Sequence, residues 1–331
     1  MDAVRAAGRV CQDVRRHMVS SDTLQKKDRS PVTVADFASQ AVVAARLRRA
    51  FPADPIVGEE QTDQLRQPGQ EAIRAAVVKH ASVELDPADR TEASVLDLID
   101  HGGGSAGGGG RFWTLDPIDG TKGFLRSEQY AVALALIEGD RIILGALGCP
   151  NLPTSGEMNG NGGPGVLLVA ALDQGTRLYP LEDGGDAGNA AGDTRGVSVR
   201  VNEEANLSMA RFCESVESAH SNQDHAARIA TLLGIRADPV RMDSQAKYAT
   251  VARGRAEIYL RLPTRADYRE KIWDHAAGAI IVTEAGGRVT DIHGMPLDFT
   301  RGRQLESNRG IVATNGPIHE SILRAIEEVL G

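Results

Sequence analysis

The sequence predicts an α+β protein, because helical and strand patterns alternate along most of its 331 residues. Apolar residues recur at helical spacing in segments such as 33–50 and 317–330, whereas shorter apolar runs such as 130–138 and 311–314 are typical of strands. A chain of this length suits one large layered domain or two smaller domains packed together. The composition, 41% hydrophobic and 25% charged, is ordinary for a soluble globular protein.

The elements of the first half follow from these two periodicities in order. Helices are predicted over 4–19, 33–50 and 70–79, and strands over 55–58, 112–115, 130–138 and 141–147. Gly139-Asp140 between the last two strands is a hairpin signal. The Gly-rich stretch 101–110 is predicted to be a mobile surface loop, because so many glycines do not form a regular element.

The second half alternates in the same way. Strands are predicted over 166–172, 197–201, 256–261, 288–291 and 311–314, and helices over 223–233, 272–285 and 317–330. Residues 153–196 are otherwise a loose region that contains G-x-G-x-x-G at 160–165. This pattern precedes a strand and has Pro164 where a helix should begin, so we exclude a dinucleotide-binding fingerprint.

Charge and cysteine usage exclude several classes of protein. The formal net charge of −8 argues against a nucleic-acid partner. Cys11, Cys149 and Cys213 have no C-x-x-C spacing, which indicates buried thiols in a reducing compartment. No apolar run approaches the about 18 residues of a transmembrane helix, and residues 1–30 have no signal-type apolar core. We expect a cytoplasmic protein without a membrane partner, with an organellar location left open if a transit peptide has been removed.

The stretch Asp116-Pro117-Ile118-Asp119-Gly120-Thr121 is the strongest functional signal in the chain. It places two carboxylates three residues apart, with the Ile118 carbonyl between them, and ends in Gly-Thr at a predicted strand-to-helix turn. Clusters made only of oxygen suit hard divalent cations, Mg²⁺ above all, and free N–H groups after Gly120 could hold phosphate oxygens. The motif indicates phosphoryl chemistry, although by itself it also suits a surface turn.

Further motifs extend this interpretation over the whole chain. Residues 31–36 open the second helix, 56–60 end in a Glu pair, and 271–278 read Lys-Ile-Trp-Asp-His-Ala-Ala-Gly. Together with the Asp motif they resemble the lithium-sensitive, Mg²⁺-dependent phosphomonoesterase superfamily that includes inositol monophosphatase. The stretches that narrow the resemblance to its fungal and plant 3′(2′),5′-bisphosphate nucleotidase branch are 111–113, 121–126, 216–220, 243–248 and 259–263.

The resemblance implies a fold and a metal site. The fold would be an α-β-α-β-α layered sandwich of the inositol monophosphatase and fructose-1,6-bisphosphatase type, with halves over 1–152 and 153–331 and the active site between them. More than one Mg²⁺ would be bound by Glu59, Asp116, the Ile118 carbonyl, Asp119 and Asp274. By itself, Glu59 also suits a solvated strand end, and Asp274 also suits the first turn of a helix, where an acid stabilises the helix dipole.

The resemblance also implies catalytic and substrate-binding roles. Asp36 and Thr121 resemble the pair that positions and deprotonates the attacking water, since a Thr hydroxyl can relay a proton to a carboxylate. Asp36 or Thr33 could instead cap the helix over 33–50. The substrate contacts implied are Gly120, Thr121, His220, Ser244, Lys247 and Arg261. The cations would neutralise the 5′-phosphate of a nucleotide, although by themselves they also suit a solvated surface.

The activity implied is removal of the 3′-phosphate of adenosine 3′,5′-bisphosphate, which gives AMP and phosphate. The 3′-phosphate of 3′-phosphoadenylyl sulfate is a further expected target, in the context of sulfate assimilation. We expect a monomer whose partner is a small-molecule substrate, and Tyr248 and Tyr268 are left as either base-stacking or packing residues. Two alternatives stay open, an inositol polyphosphate 1-phosphatase with the same metal cluster and a non-catalytic nucleotide sensor.

Overall fold

The computed structural model describes residues 1–17, 23–25, 31–105, 110–154, 165–182, 196–216, 223–265 and 267–331. Within these ranges the helices are α1 (Asp2–His17), α2 (Val34–Ala50), α3 (Glu71–Ala81), α4 (Glu92–Asp100), α5 (Thr121–Leu125), α6 (Gln223–Leu232), α7 (Ala246–Ala252), α8 (Ala276–Glu284) and α9 (His319–Leu330). The strands are β1 (Thr23–Gln25), β2 (Pro31–Thr33), β3 (Ile56–Gly58), β4 (Arg111–Asp119), β5 (Ala131–Glu138), β6 (Arg141–Cys149), β7 (Val166–Ala171), β8 (Gly175–Pro180), β9 (Val197–Val199), β10 (Phe212–Glu214), β11 (Val240–Arg241), β12 (Ile258–Arg261), β13 (Arg288–Thr290) and β14 (Ile311–Thr314). Short 3₁₀ turns lie at Pro87–Asp89, Leu207–Met209 and Ile272–Asp274.

The larger sheet has seven strands in the order β3-β4-β5-β6-β7-β8-β9. β3 is parallel to β4, and the later neighbours pair antiparallel. β5 is buried from Ala131 to Ile137, because helices cover both faces of the sheet. The sheet runs past residue 152 as far as β9, and the predicted division of the chain near that residue stays a prediction.

The smaller sheet has five strands in the order β11-β10-β12-β14-β13. β10 is parallel to β11 and β12, whereas β14 is antiparallel to β12 and β13. β1 and β2 form a separate antiparallel pair just before α2.

The two sheets and the helices form five layers. α1 and α2 pack against the outer face of the larger sheet, and α3 and α4 pack on α2. α7 and α8 lie between the two sheets, and α6 and α9 cover the outer face of the smaller sheet. This arrangement confirms the predicted α-β-α-β-α sandwich.

The burial of each helix explains its sequence. α9 is amphipathic and buries His319, Ile322, Ala325 and Ile326, which recur at the spacing of one helix face. α8 lies between the sheets, and its residues from Ala276 to Val282 are buried on all sides. Among the described helices, none combines the length and the apolar character that crossing a membrane requires.

Several elements were not predicted. α4 lies in a stretch with little periodicity, yet the Thr91 hydroxyl accepts the Ser94 N–H at its start, and Val95 and Leu98 are fully buried. α7, β8, β10 and β11 are also missing from the prediction. They are short, and packing against distant segments stabilises them, so a local pattern carries little signal for them.

Part of the predicted Gly loop belongs to the fold. The Gly104 N–H donates to the Ile56 carbonyl at 2.8 Å, next to β3. A Cβ at Gly104 would lie 2.6 Å from that oxygen, so this close approach of two backbones requires glycine. The prediction of a mobile surface loop over 101–110 is therefore wrong for residues 102–104. Residues 106–109 lie outside the described ranges, as do residues 160–164 of the Gly-rich pattern.

Candidate active site

Both aspartates of the motif lie at the C-terminal end of β4, which runs to Asp119 and not only to residue 115 as predicted. Asp116 pairs with Ala133 of β5 and Asp119 pairs with Ala131, so β4 has one extra residue between the two pairs. Such a β-bulge bends the strand and re-aims its side chains. The Ile118 N–H donates to Asp116 Oδ1 at 3.1 Å within the bend. The predicted strand therefore continues through a bulge to Asp119, and the predicted strand-to-helix turn follows it at Gly120-Thr121.

The reversal of the chain after β4 depends on Gly120. Its backbone is left-handed, with φ 84° and ψ 44°, and α5 begins at the next residue. A Cβ at Gly120 would lie 2.9 Å from the Cβ of Ser244, so both the conformation and the space require glycine. The Thr121 hydroxyl donates to the Ile118 carbonyl at 3.3 Å. The turn thus places this hydroxyl beside the carbonyl that was predicted to bind metal.

One cavity of about 280 Å³ brings the predicted residues together. Those that line it are Glu59, Asp116, Ile118, Asp119, Gly120, Thr121, Ser244, Lys247, Arg261 and Asp274. They come from β3, β4, α5, α7 and β12 and from the segments next to them. Residues that lie far apart in the sequence therefore share one site, as the resemblance implies.

Two predicted residues are not in this lining. Asp36 is fully buried in the first turn of α2, and the described residues that line the cavity do not include it. α2 contacts β4 through the Ser39 hydroxyl, which donates to the Pro117 carbonyl at 3.1 Å. Asp36 therefore lies in the helix next to the Asp motif, and its catalytic role stays a prediction. His220 lies outside the described residues.

Burial and nearby carboxylates raise the pKa of two acids in the cavity, Asp119 and Asp274. Burial raises the pKa of Asp119, while Lys247 opposes the rise and Glu59 adds to it. Burial also raises the pKa of Asp274 well above its usual range, against the opposing charge of Arg261 and with contributions from Asp119 and Glu59. A bound cation relieves such repulsion. Buried, mutually repelling oxygen donors are what a hard divalent cation such as Mg²⁺ prefers, so these residues fit the implied metal.

The backbone at Asp274 differs from the prediction. A single helix was predicted over 272–285, but Asp274 ends the 3₁₀ turn Ile272–Asp274. His275, with φ −137°, leaves the helical path before α8 begins at Ala276. The explanation of Asp274 as an acid in the first turn of a long helix is therefore wrong.

The two predicted phosphate-binding cations already contact protein groups. Lys247 Nζ donates to the Ser244 carbonyl at 2.8 Å and to the Met242 carbonyl at 3.3 Å. Burial lowers the pKa of Lys247, and the Asp119 carboxylate opposes this. Arg261 Nε lies 2.7 Å from Glu270 Oε2, and its Nη2 lies 3.9 Å from Asp274 Oδ2. The charges of Lys247 and Arg261 thus face the predicted metal ligands, and their contact with substrate stays a prediction.

Comparison with known proteins shows the family of this chain. The sequence profile of the inositol monophosphatase family matches residues 1–330. The chain belongs to the inositol monophosphatase family. A relative from Emericella nidulans named 3′(2′),5′-bisphosphate nucleotidase is 44% identical over 93% of this chain and 91% of its own length. A relative of the same name from Schizosaccharomyces pombe is 42% identical over 99% of this chain and 93% of its own length.

The fold of this family member also matches a solved structure. The IMPase of Thermotoga maritima aligns with a TM-score of 0.66 over 99% of this chain and 95% of that chain. Because the two sequences are only 21% identical, this likeness shows the shared fold alone.

In this inositol monophosphatase family member, Tyr248 is a packing residue. It is fully buried, and its hydroxyl lies 2.8 Å from His275 Nδ1. His275 Nε2 in turn lies 3.2 Å from Glu270 Oε2. Tyr268 lines the cavity instead, and a base-stacking role for it stays a prediction.

Gln245 is a site residue whose role the sequence did not reveal, although it lies within a matched motif. Its N–H donates to Asp119 Oδ2 at 2.5 Å. Its side chain donates to the Trp273 carbonyl at 2.9 Å and accepts the Gly278 N–H at 3.0 Å. Gln245 therefore joins two of the segments that carry predicted metal ligands. Only the tertiary structure reveals this, because Gln245 and Asp119 are more than one hundred residues apart in the sequence.

Proposed function

We propose that this chain is a Mg²⁺-dependent 3′(2′),5′-bisphosphate nucleotidase. It would hydrolyse the 3′-phosphate of adenosine 3′,5′-bisphosphate to AMP and phosphate, and would also act on 3′-phosphoadenylyl sulfate. The observation that carries the proposal is the cavity in which Glu59, Asp116, Asp119, Asp274 and the Ile118 carbonyl meet. The names of the two fungal relatives, which align over nearly the whole chain, support the choice of substrate.

The carboxylates would bind more than one Mg²⁺. When bound, the cations would neutralise the phosphoryl oxygens and acidify a water. Glu59 and Asp274 would approach from other segments than the two aspartates of β4, so the four acids would surround the reacting phosphate. The rigid bulged strand would keep the ligands in place without reorganisation during the reaction.

Thr121 and Asp36 would handle the proton of the attacking water. The Thr121 hydroxyl donates to the Ile118 carbonyl, which leaves its oxygen lone pairs free to accept a hydrogen bond from water. For the water's proton to reach Asp36, which is buried in the adjacent helix, the Thr121 hydroxyl would turn from the Ile118 carbonyl to the Asp36 carboxylate. It would give its own proton to Asp36 as its oxygen takes one from the water. The N–H groups of Gly120 and Thr121 would hold phosphoryl oxygens where the chain reverses.

The other lining residues would bind the rest of the nucleotide. Ser244, Lys247 and Arg261 line the same cavity as the acids and would face the sugar and the 5′-phosphate, with His220 as a further contact from the sequence motif. Since Arg261 also contacts Glu270, it would share its charge between that acid and the substrate phosphate. We further propose that the protein is cytoplasmic and monomeric. Light scattering would test the monomeric state against the chain mass of 35.2 kDa.

The test is phosphate release with Mg²⁺ from adenosine 3′,5′-bisphosphate, inositol 1,4-bisphosphate and inositol 1-phosphate under identical conditions. We expect kcat/KM for the nucleotide to be higher by about a hundredfold or more, which is about 2.7 kcal/mol of discrimination in the transition state. Preference for an inositol substrate would keep the metal site and refute the nucleotide assignment. Turnover of none of the three would favour the alternative of a non-catalytic nucleotide sensor.

A further inference from the structure

The loop that carries Arg303 runs alongside the segment that leads to Asp274. The Ile272 N–H donates to the Arg303 carbonyl at 3.3 Å. The Leu305 N–H donates to the Glu270 carbonyl at 2.8 Å. Main-chain hydrogen bonds therefore hold this loop against the 3₁₀ turn that ends in a predicted metal ligand.

The Arg303 side chain contacts the immediate neighbours of two predicted metal ligands. Its guanidinium carbon lies 4.6 Å from the centroid of the Trp273 ring, so the group stacks on the residue before Asp274. Its Nη2 donates to the Gly58 carbonyl, which belongs to the residue before Glu59. One planar group therefore joins two segments that are more than two hundred residues apart in the sequence.

Arg303 is not among the residues that line the cavity. The described residues that line the cavity include Glu59 and Trp273 but not Arg303. Burial lowers the pKa of Arg303 and Glu59 opposes this, so the carboxylate lies close enough to attract the guanidinium. Nothing in this arrangement brings Arg303 into contact with a substrate in the cavity.

We propose that Arg303 is a positioning residue that holds Glu59 and Asp274 at the separation that divalent-cation binding requires. This inference rests on the proposed metal-dependent function. Removing groups that orient metal ligands typically lowers metal affinity about 10- to 100-fold. A planar guanidinium stacks on an aromatic ring and donates in its own plane at the same time, which a lysine ammonium does not.

If Arg303 acts by positioning the metal ligands, its loss should change the cation affinity in the opposite direction from the change expected if it acts only through its charge. A positive charge near a cation site weakens cation binding, so removal of the charge by itself would raise the affinity. Loss of positioning lowers the affinity instead. The sign of the change in Arg303→Met therefore separates the two explanations. Arg303→Lys keeps the charge and removes the stacked plane, so positioning predicts a lower affinity there as well.

The experiment is a Mn²⁺ titration of the full chain without nucleotide, in which free Mn²⁺ is followed by electron paramagnetic resonance. We compare the wild-type protein with Arg303→Met and Arg303→Lys. The matched control is Arg301→Met on the same loop, because the Arg301 side chain is 62% exposed and pairs with Asp298 instead. Circular dichroism and the Tm of each metal-free variant check that the fold is retained. The KM for adenosine 3′,5′-bisphosphate at saturating Mg²⁺ provides an independent readout.

We expect both Arg303 variants to bind Mn²⁺ about tenfold or more weakly, with KM little changed and Arg301→Met equal to the wild type. A folded Arg303→Lys with wild-type affinity, or a folded Arg303→Met with higher affinity, would overturn the inference while the proposed function stands. A wild-type protein that binds no Mn²⁺ would overturn both the inference and the proposed function.

Discussion

Replacement of Asp119 by Asn is the sharpest test of the metal site. Asp119 Oδ2 accepts the Gln245 N–H at 2.5 Å, and an Asn carbonyl oxygen could accept the same bond. The second oxygen would become an NH₂ group, which has no lone pair for a cation. We therefore expect kcat/KM for adenosine 3′,5′-bisphosphate to fall by at least about 10³-fold, which is about 4 kcal/mol of barrier.

The same change should not weaken the metal-free fold. Burial and Glu59 raise the pKa of Asp119, so its ionised form is disfavoured in the folded protein. A neutral Asn removes this penalty, and the Tm without metal should be unchanged or higher. The rise in Tm on adding Mg²⁺ should shrink, because ligand stabilisation scales with affinity. Phosphate release and thermal unfolding with and without Mg²⁺ measure both effects.

Asp140→Asn is the matched control, since Asp140 is exposed in the β5–β6 hairpin. It should leave turnover and the Mg²⁺-dependent shift in Tm unchanged. If Asp119→Asn retained near-normal turnover at every Mg²⁺ concentration, the assignment of Asp119 as a metal ligand would be refuted. A variant that lost both activity and cooperative unfolding would instead show that Asp119 stabilises the fold.

Three further predictions follow from the same geometry. Gly120→Ala should lower kcat/KM at least about tenfold and should also lower the Tm. The left-handed backbone disfavours a Cβ by about 1–2 kcal/mol, and that atom would lie 2.9 Å from the Ser244 Cβ. Wild-type values of both kcat/KM and Tm would contradict the assigned role of this turn. Because the pKa values of Asp119 and Asp274 are raised in the folded protein, folding favours their protonated forms. Their contribution to the free energy of unfolding is fully present below the unfolded-state pKa of 3.8, and it is lost as the pH rises through their raised folded-state pKa values. Urea titrations of the metal-free wild-type protein should therefore show a free energy of unfolding that falls as the pH rises over this range. In Asp119→Asn it should fall less. Equal dependence on pH in the two proteins would count against the pKa assignments. Li⁺ should inhibit phosphate release by occupying one Mg²⁺ site, as the motifs of a lithium-sensitive superfamily imply. Constant activity across a Li⁺ titration at limiting Mg²⁺ would argue against inhibition at this site.

The sequence predicted the parts of the site that depend on local chemistry. Carboxylates, the Ile118 carbonyl and the glycine of the turn lie within one short motif, and the structure places them in one cavity. The type of the long elements such as α2, α9 and β5 was also predictable from periodicity, whereas their layered arrangement came from the resemblance of the motifs to a known family. These features carry their signal in neighbouring residues.

The partners of the buried cations were not predictable in this way. Lys247 and Arg261 look like exposed phosphate-binding residues in the sequence, yet Lys247 bonds to main-chain carbonyls and Arg261 contacts Glu270. Whether a cation is solvated or paired depends on burial and on acids from other segments, which periodicity does not report. The contact of Arg303 with Gly58 is of the same kind, because it joins opposite ends of the chain.

The prediction of regular structure failed at the site for a physical reason. In a regular β-strand, side chains alternate between faces, so Asp116 and Asp119 would point to opposite sides of the sheet. The extra residue in the bulge of β4 allows both carboxylates to line one cavity. Ser244 has a positive φ of 69°, which costs a residue with a Cβ of the order of 1–3 kcal/mol. Asp274 likewise lies in a 3₁₀ turn where a continuous helix was predicted. The irregular backbone is thus what brings these side chains to one point. A prediction from periodicity assumes regular helices and strands, so it misplaces the elements where the chemistry of the site requires an irregular backbone.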